Sequence, residues 1–231
     1  GYVDGVHIPA GRKSYSPYAI STEHGLFCWA GFHEVWHHFM PHFWGANSAW
    51  LDTRSLLPHR RPTCMTEDGE GNLWIGSHGD GIVRLNAHAR GYCDRKPEDN
   101  RPDGREFSHL GPEEVGVPFD KVVAIGASPA SDVVWLLLES GDRRPTLATY
   151  DGEAWATLVL TGVQRAYCVA EGKPGIALVG TDRGLLEVAW ASREVRPVPG
   201  PEHAIRDLVT LRGGEVFAAS WWALYGRESS D

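Results

Sequence analysis

Nowhere does the sequence hold the about 18–20 consecutive apolar residues that a membrane-spanning helix requires. No signal-peptide pattern is expected at its start, although Gly1 is not a natural first residue and leaves a processed leader open. Cysteine is scarce. Cys28, Cys64, Cys93 and Cys168 form no CxxC pair and no metal-finger spacing. Cys64 and Cys168 fall in apolar runs and are expected as reduced, structural thiols, with disulfides the lesser reading. The compartment stays open: the cytoplasm is slightly favoured, and a periplasmic or secreted location is the alternative. An excess of positive charge is also missing: 22 Lys and Arg against 30 Asp and Glu leave a formal charge of −8. Such a balance argues against nucleic acid as a partner, because phosphate recognition needs a basic face.

What the chain does have is glycine (27), proline (15) and tryptophan (10), with 42% hydrophobic residues. That composition supports many tight turns around a packed core and excludes disorder. One run is the most telling: Asp68-Gly69-Glu70-Gly71-Asn72-Leu73-Trp74-Ile75-Gly76-Ser77-His78-Gly79-Asp80-Gly81-Ile82-Val83-Arg84-Leu85. It reads as a turn, an apolar strand, a Gly-rich hairpin turn and a second strand.

Weaker copies recur. The second and third strands of further units are Tyr18–Ser21 with Gly25–Trp29, Val133–Leu137 with Thr146–Tyr150, Ile176–Thr181 with Gly184–Val188, and Glu215–Ser220 with Ala223–Gly226. Gly184 lies 39 residues after Pro145 and 39 before Ala223; the earlier spacings are longer, Gly25 to Gly81 being 56, and two insertions, near Trp44–Arg61 and Ala87–Arg105, explain the excess. The first insertion could hold a short helix over residues 46–53. Runs rich in small residues precede each later unit (Thr63–Thr66, Val122–Gly126, Ala166–Ala170, Asp207–Leu211) and suit an innermost strand. Outer strands are expected at His33–His37, Glu106–His109, Glu153–Thr157 and Glu194–Pro197. A repeat near 40 residues with four strands per unit is the signature of a β-propeller. The expected fold is all-β: one domain over residues 1–231, about five four-stranded blades. The last unit lacks an outer strand, and the N-terminal segment Tyr2–Pro9 is expected to supply it and close the ring; an innermost strand of the first blade is the alternative.

Glu67–Asn86 resembles the two-component-regulator propeller repeat, with its acidic-Gly turn, Asn-Leu-Trp-Ile-Gly strand and following Gly-rich turn. Gly180–Leu185 and Tyr150–Trp155 resemble it in part. The resemblance implies structural repeat residues that specify turns. In that family's long sensors, many such blades are joined to a signalling kinase; here about five blades and no kinase are expected, so a sensor role does not simply carry over.

His33-Glu34-Val35-Trp36-His37 satisfies the HExxH pattern, which on a helix would place two histidines about 6 Å apart to share zinc. On the expected outer strand, at ~3.3 Å per residue, the two stand roughly 13 Å apart and cannot hold one ion. No metal and no cofactor are expected. His37, His38 and His42 among aromatics read as a strand edge and packed loop. Trp74, Trp135 and Trp155 read as core, and the Gly76–Gly81 stretch lacks a phosphate-binding Lys.

As a family-level expectation, propeller sites form where the turns between second and third strands meet the loops leading into each innermost strand. Mapped here, the turns contribute His24, His78, Asp80, Arg143, Asp182, Arg183, Trp221 and Trp222. The leading loops contribute Arg165, His203 and Arg206, together with Arg61 and Lys121. Several Arg and His residues around one mouth suit an anionic or polar small molecule. The leading expectation is a sensor-like monomer binding a small-molecule ligand or a protein partner. An enzyme of lyase or hydrolase type, with His78 or His203 as general acid/base, is the alternative from another class. A lectin-like carbohydrate binder is the third.

Overall fold

The computed structural model describes residues 3–7, 18–22, 25–30, 35–39, 62–79, 81–85, 107–127, 133–200, 202–210 and 215–227. They fall into two compact units, residues 1–111 and 112–231. Five antiparallel sheets carry nearly all the order, and the sole helix among the described residues is the single turn α1 (Pro112–Val115). The fold is a β-propeller in its blades: each sheet is a meander in which successive strands are neighbours. Four sheets have four strands and the fifth has three, so four complete blades stand where about five were expected.

In the first unit, β1 (Val3–His7), β2 (Tyr18–Thr22), β3 (Gly25–Ala30) and β4 (Val35–Phe39) form one sheet. Val3 pairs with Thr22 and His7 with Ala19, so the N-terminal segment is the innermost strand of the first blade. The expected pairing with the last blade is corrected: the Val6-to-Ile20 register satisfies its backbone groups locally. β4 pairs with β3 through Trp36 opposite Trp29, which makes the second half of the HExxH segment extended strand. His33 and Glu34 lie outside the described residues, as do both insertions, Arg61, His24, His42 and Asp80.

The second sheet holds β5 (Pro62–Glu67), β6 (Leu73–Ser77), β7 (Ile82–Leu85) and β8 (Phe107–Leu110). Its leading turn explains the repeat. Asp68 Oδ1 accepts the Glu70 and Asn72 N–H groups at 3.1 and 2.9 Å. Asp68 Oδ2 accepts Asn72 Nδ2 at 2.9 Å and the Trp74 indole N–H at 2.7 Å. One carboxylate thus folds the turn and satisfies the polar atom of a fully buried Trp74. After β6, Gly81 has φ +76° and a side-chain carbon there would meet Leu110 O at 2.7 Å, so only glycine serves.

The second unit contains β9 (Lys121–Ala127), β10 (Val134–Glu139), β11 (Pro145–Tyr150) and β12 (Trp155–Val159); then β13 (Ala166–Lys173), β14 (Ile176–Thr181), β15 (Gly184–Ala189) and β16 (Glu194–Pro197); then β17 (Asp207–Thr210), β18 (Val216–Ala219) and β19 (Leu224–Arg227). Exposure grades outward. Val134–Leu138 is buried throughout, while Glu194–Pro197 is exposed along its length. That is why second strands read as continuous apolar runs. Trp135, Leu137, Leu147 and Leu160 meet Ala166, Val169, Val179 and Val188 between the first two of these sheets. Cys168, Leu178, Leu185 and Ile205 meet Val216 and Ala218 between the second and third. Each large side chain so buried contributes about 1.5–3 kcal/mol. Trp74 and Trp135 are core as expected, whereas Trp155 is half-buried, its ring 4.9 Å from that of Tyr150.

Candidate functional site

Strand register alone gathers polar residues at one end of the second unit. Each innermost strand starts opposite the end of its second strand: Lys121 faces Glu139, Ala166 faces Thr181, and Asp207 faces Ala219. Residues just before the one therefore lie beside the turn that follows the other. Asp182 N–H donates to Arg165 O at 3.1 Å, and Arg165 N–H returns a bond to Asp182 Oδ1 at 3.2 Å. Arg206 N–H donates to Ala219 O at 2.8 Å, and Ile205 N–H donates to Thr181 O at 3.0 Å. The second of these bonds ties the loop leading into β17 to the preceding sheet.

Arg206 is the best-held cation of the group. Its guanidinium carbon lies 3.7 Å over the Tyr167 ring and 5.9 Å from the centre of the Trp221 ring. A face-stacked guanidinium keeps its in-plane N–H donors for something else. Among the described residues neither Arg206 nor Arg165 has an acidic partner. Arg183 meets Asp182 at 4.0 Å while 70% exposed, a contact worth little in water. Asp182 is the carboxylate bonded within this group. Tyr167 was not among the candidates from sequence: as the second residue of an innermost strand it reads as packing, and its alternation with Ala166 and Cys168 is the signal that could have turned it outward.

Trp221 and Trp222 are 75% and 87% exposed. Ser220 explains why such residues can stand in a turn. Its hydroxyl accepts the Trp222 and Ala223 N–H groups at 3.2 and 2.9 Å, so the backbone is satisfied while both rings stay outside. His203 is exposed in the loop before Ile205. Arg143 adopts φ +59° in the β10–β11 turn, with its N–H on Ser140 O at 2.7 Å, and among the described residues nothing joins it to the Arg206 group. In the same turn, Asp142 accepts from Ser140 Oγ and from Arg144 N–H, which holds its carboxyl below the usual range. His78, in the first unit, is exposed in the β6–β7 turn.

Cys168 lies beneath this surface with its thiol on Ile205 O at 3.7 Å. Burial first, then the Asp207 charge, pushes that thiol up to about 12. Cys64 is half-buried, its Sγ 3.6 Å from Thr63 Oγ1. No group of three His, Cys, Asp or Glu suited to a metal ion occurs among the described residues. Among them, too, no helix is long and apolar enough to cross a membrane.

The profile of the family described as two component regulator propeller matches residues 56–79, so the chain carries one such repeat there. No curated protein sequence matches the chain. Among solved structures, the extracellular domain of a one component system, BT4673 of B. thetaiotaomicron, is similar at TM-score 0.63 and 12% identity, over 98% of this chain and 26% of that one. The extracellular domain of the hybrid two component system BT3049 from the same organism gives TM-score 0.61 at 14% identity, over 90% and 25%. Sqt1 of Saccharomyces cerevisiae gives 0.59 at 12%, over 94% and 57%. The chain spans about a quarter of the length of the two Bacteroides proteins. At these identities the likeness is one of fold.

Proposed function

We propose that the chain is a sensor-like binding module, one propeller domain that takes an anionic small molecule where Arg165, Arg183 and Arg206 gather. The propeller fold and the sensor-domain neighbours support a binding role in general. The observation that carries the finer reading is Arg206, stacked on Tyr167 and close to Trp221, with no acidic partner among the described residues. A fixed guanidinium offers two parallel donors to a carboxylate or phosphate, and the exposed rings of Trp221 and Trp222 offer apolar cover to the rest of the molecule. Asp182 sets a polar limit on one side.

The test is a melting screen over carboxylate and phosphate metabolites with neutral sugars as the comparison arm, followed by calorimetry on any stabilising compound. An anionic ligand should stabilise the native chain, and Arg206→Ala should weaken it about tenfold or more while leaving the melting curve of the free protein in place. Stabilisation by neutral sugars alone would move the reading to a lectin. His203→Ala lowering turnover without changing affinity would move it to an enzyme.

A further inference from the structure

Two turns of the second unit share one frame and differ in what they display. Between β14 and β15, Thr181 Oγ1 donates to Gly184 O at 2.9 Å and accepts Arg183 N–H at 3.1 Å. Between β18 and β19, Ser220 Oγ donates to Ala223 O at 3.2 Å and accepts Trp222 N–H at 3.2 Å. Each hydroxyl closes a two-residue turn, around Asp182-Arg183 in the first and Trp221-Trp222 in the second. Asp and Arg fill that frame, so the frame itself does not call for indoles. Their exposure, 75% and 87%, also shows that they are not held there by a core.

Trp221 is turned toward the sheet β13–β16. Its ring lies 5.9 Å from the Arg206 guanidinium carbon, and that guanidinium lies over Tyr167 of β13. Its exposure is therefore not that of a sheet face left for a further sheet. Tyr167, at 3.7 Å, covers one face of the guanidinium. The 5.9 Å on the other side is less than twice the about 3.5–4.0 Å at which flat groups touch, so no ring fits between Arg206 and Trp221. What remains open is the edge of the guanidinium, with its in-plane N–H donors, and the outer face of the indole.

We propose that the ligand of this site is an aromatic carboxylate. The carboxylate lies in the plane of the Arg206 donors and takes two of them, and the ring lies flat on the outer face of Trp221. A flat ring matches a one-sided indole surface, and the paired quadrupoles add to what area burial alone supplies. A saturated ring of the same size gains the burial without that addition. The inference rests on the reading of the arginine group as an anion site and names the class of anion.

The probes are 3-phenylpropionate, 3-cyclohexylpropionate and neutral 3-phenylpropan-1-ol, titrated into the full 231-residue chain with ligand-observed NMR as the readout. The phenyl acid should bind about threefold to tenfold more tightly than the cyclohexyl acid, although the latter is the more apolar. Trp221→Leu should bring that ratio to about one, and Trp221→Tyr should restore it. The ratio is taken within one sample, so a partly folded variant does not distort it. Should Trp221→Leu fail to fold, the native ratio and the Tyr variant decide. Equal affinities for the two acids, or a phenyl preference that survives Trp221→Leu, overturn the inference and leave the anion reading standing. An alcohol that binds as tightly as the phenyl acid overturns the anion reading and this inference with it.

Discussion

The Arg206 guanidinium rests 3.7 Å over the Tyr167 ring, joining residues on adjoining blades that are 39 positions apart in the chain. The ring holds the cation by its face and leaves its edge toward solvent. Tyr167→Phe should therefore keep the affinity for an anionic ligand within about twofold, whereas Tyr167→Leu should raise Kd about fivefold, since an exposed cation–π contact is worth ~0.5–1 kcal/mol. Calorimetry on the two variants checks this. Equal affinities for Phe and Leu would remove the stack from the binding account.

Asp68 offers a test of the repeat itself. Asp68→Ala removes the acceptor of the buried Trp74 indole and unties the turn, and should cost about 2–3 kcal/mol in urea unfolding. Trp74→Phe in the Asp68→Ala background should cost less than it does alone, because the orphaned donor is gone.

Gly126 sits where β9 passes β13. A side-chain carbon there would lie 2.5 Å from Val169 O, a backbone atom that cannot swing aside. Gly126→Ala should destabilise by about 1–3 kcal/mol. An unchanged midpoint would mean that the two strands separate easily.

Cys168 ties pH to stability. Its folded pKa of about 12 stands above the 9.0 of the free thiol, so the native state holds the proton longer than the unfolded chain. Stability from this group is complete below about pH 9 and falls as pH rises from there toward 12. Cys168→Ala should flatten the alkaline part of the curve. In the native protein at pH 8, peptide mapping after iodoacetamide should find Cys168 unlabelled until urea is added.

Much of the fold was legible because its determinants are local. The Asp68 carboxylate makes four hydrogen bonds within the seven residues Asp68–Trp74, and that turn was readable from its Asp, Gly and Asn. The strand Glu194–Pro197 has the bounds expected of it, and the apolar run read as a second strand there is buried along Val134–Leu138. His37 stands on an extended strand, as its place after Trp36 in an outer-strand pattern suggested.

Other features depend on which strand lies beside which, and no short window holds that information. Val3–His7 is a short apolar run compatible with either end of the chain's meander, and its pairing with Tyr18–Thr22 was decided by a neighbour eleven residues on. Tyr167 looked like packing until the loop before Asp207 was anchored on Thr181 and carried Arg206 over its ring. The sequence alone determined turns, strands and the repeat, since those rest on contacts a few residues apart. Tertiary structure decided which side chains share a surface, since backbone register across strands sets those distances.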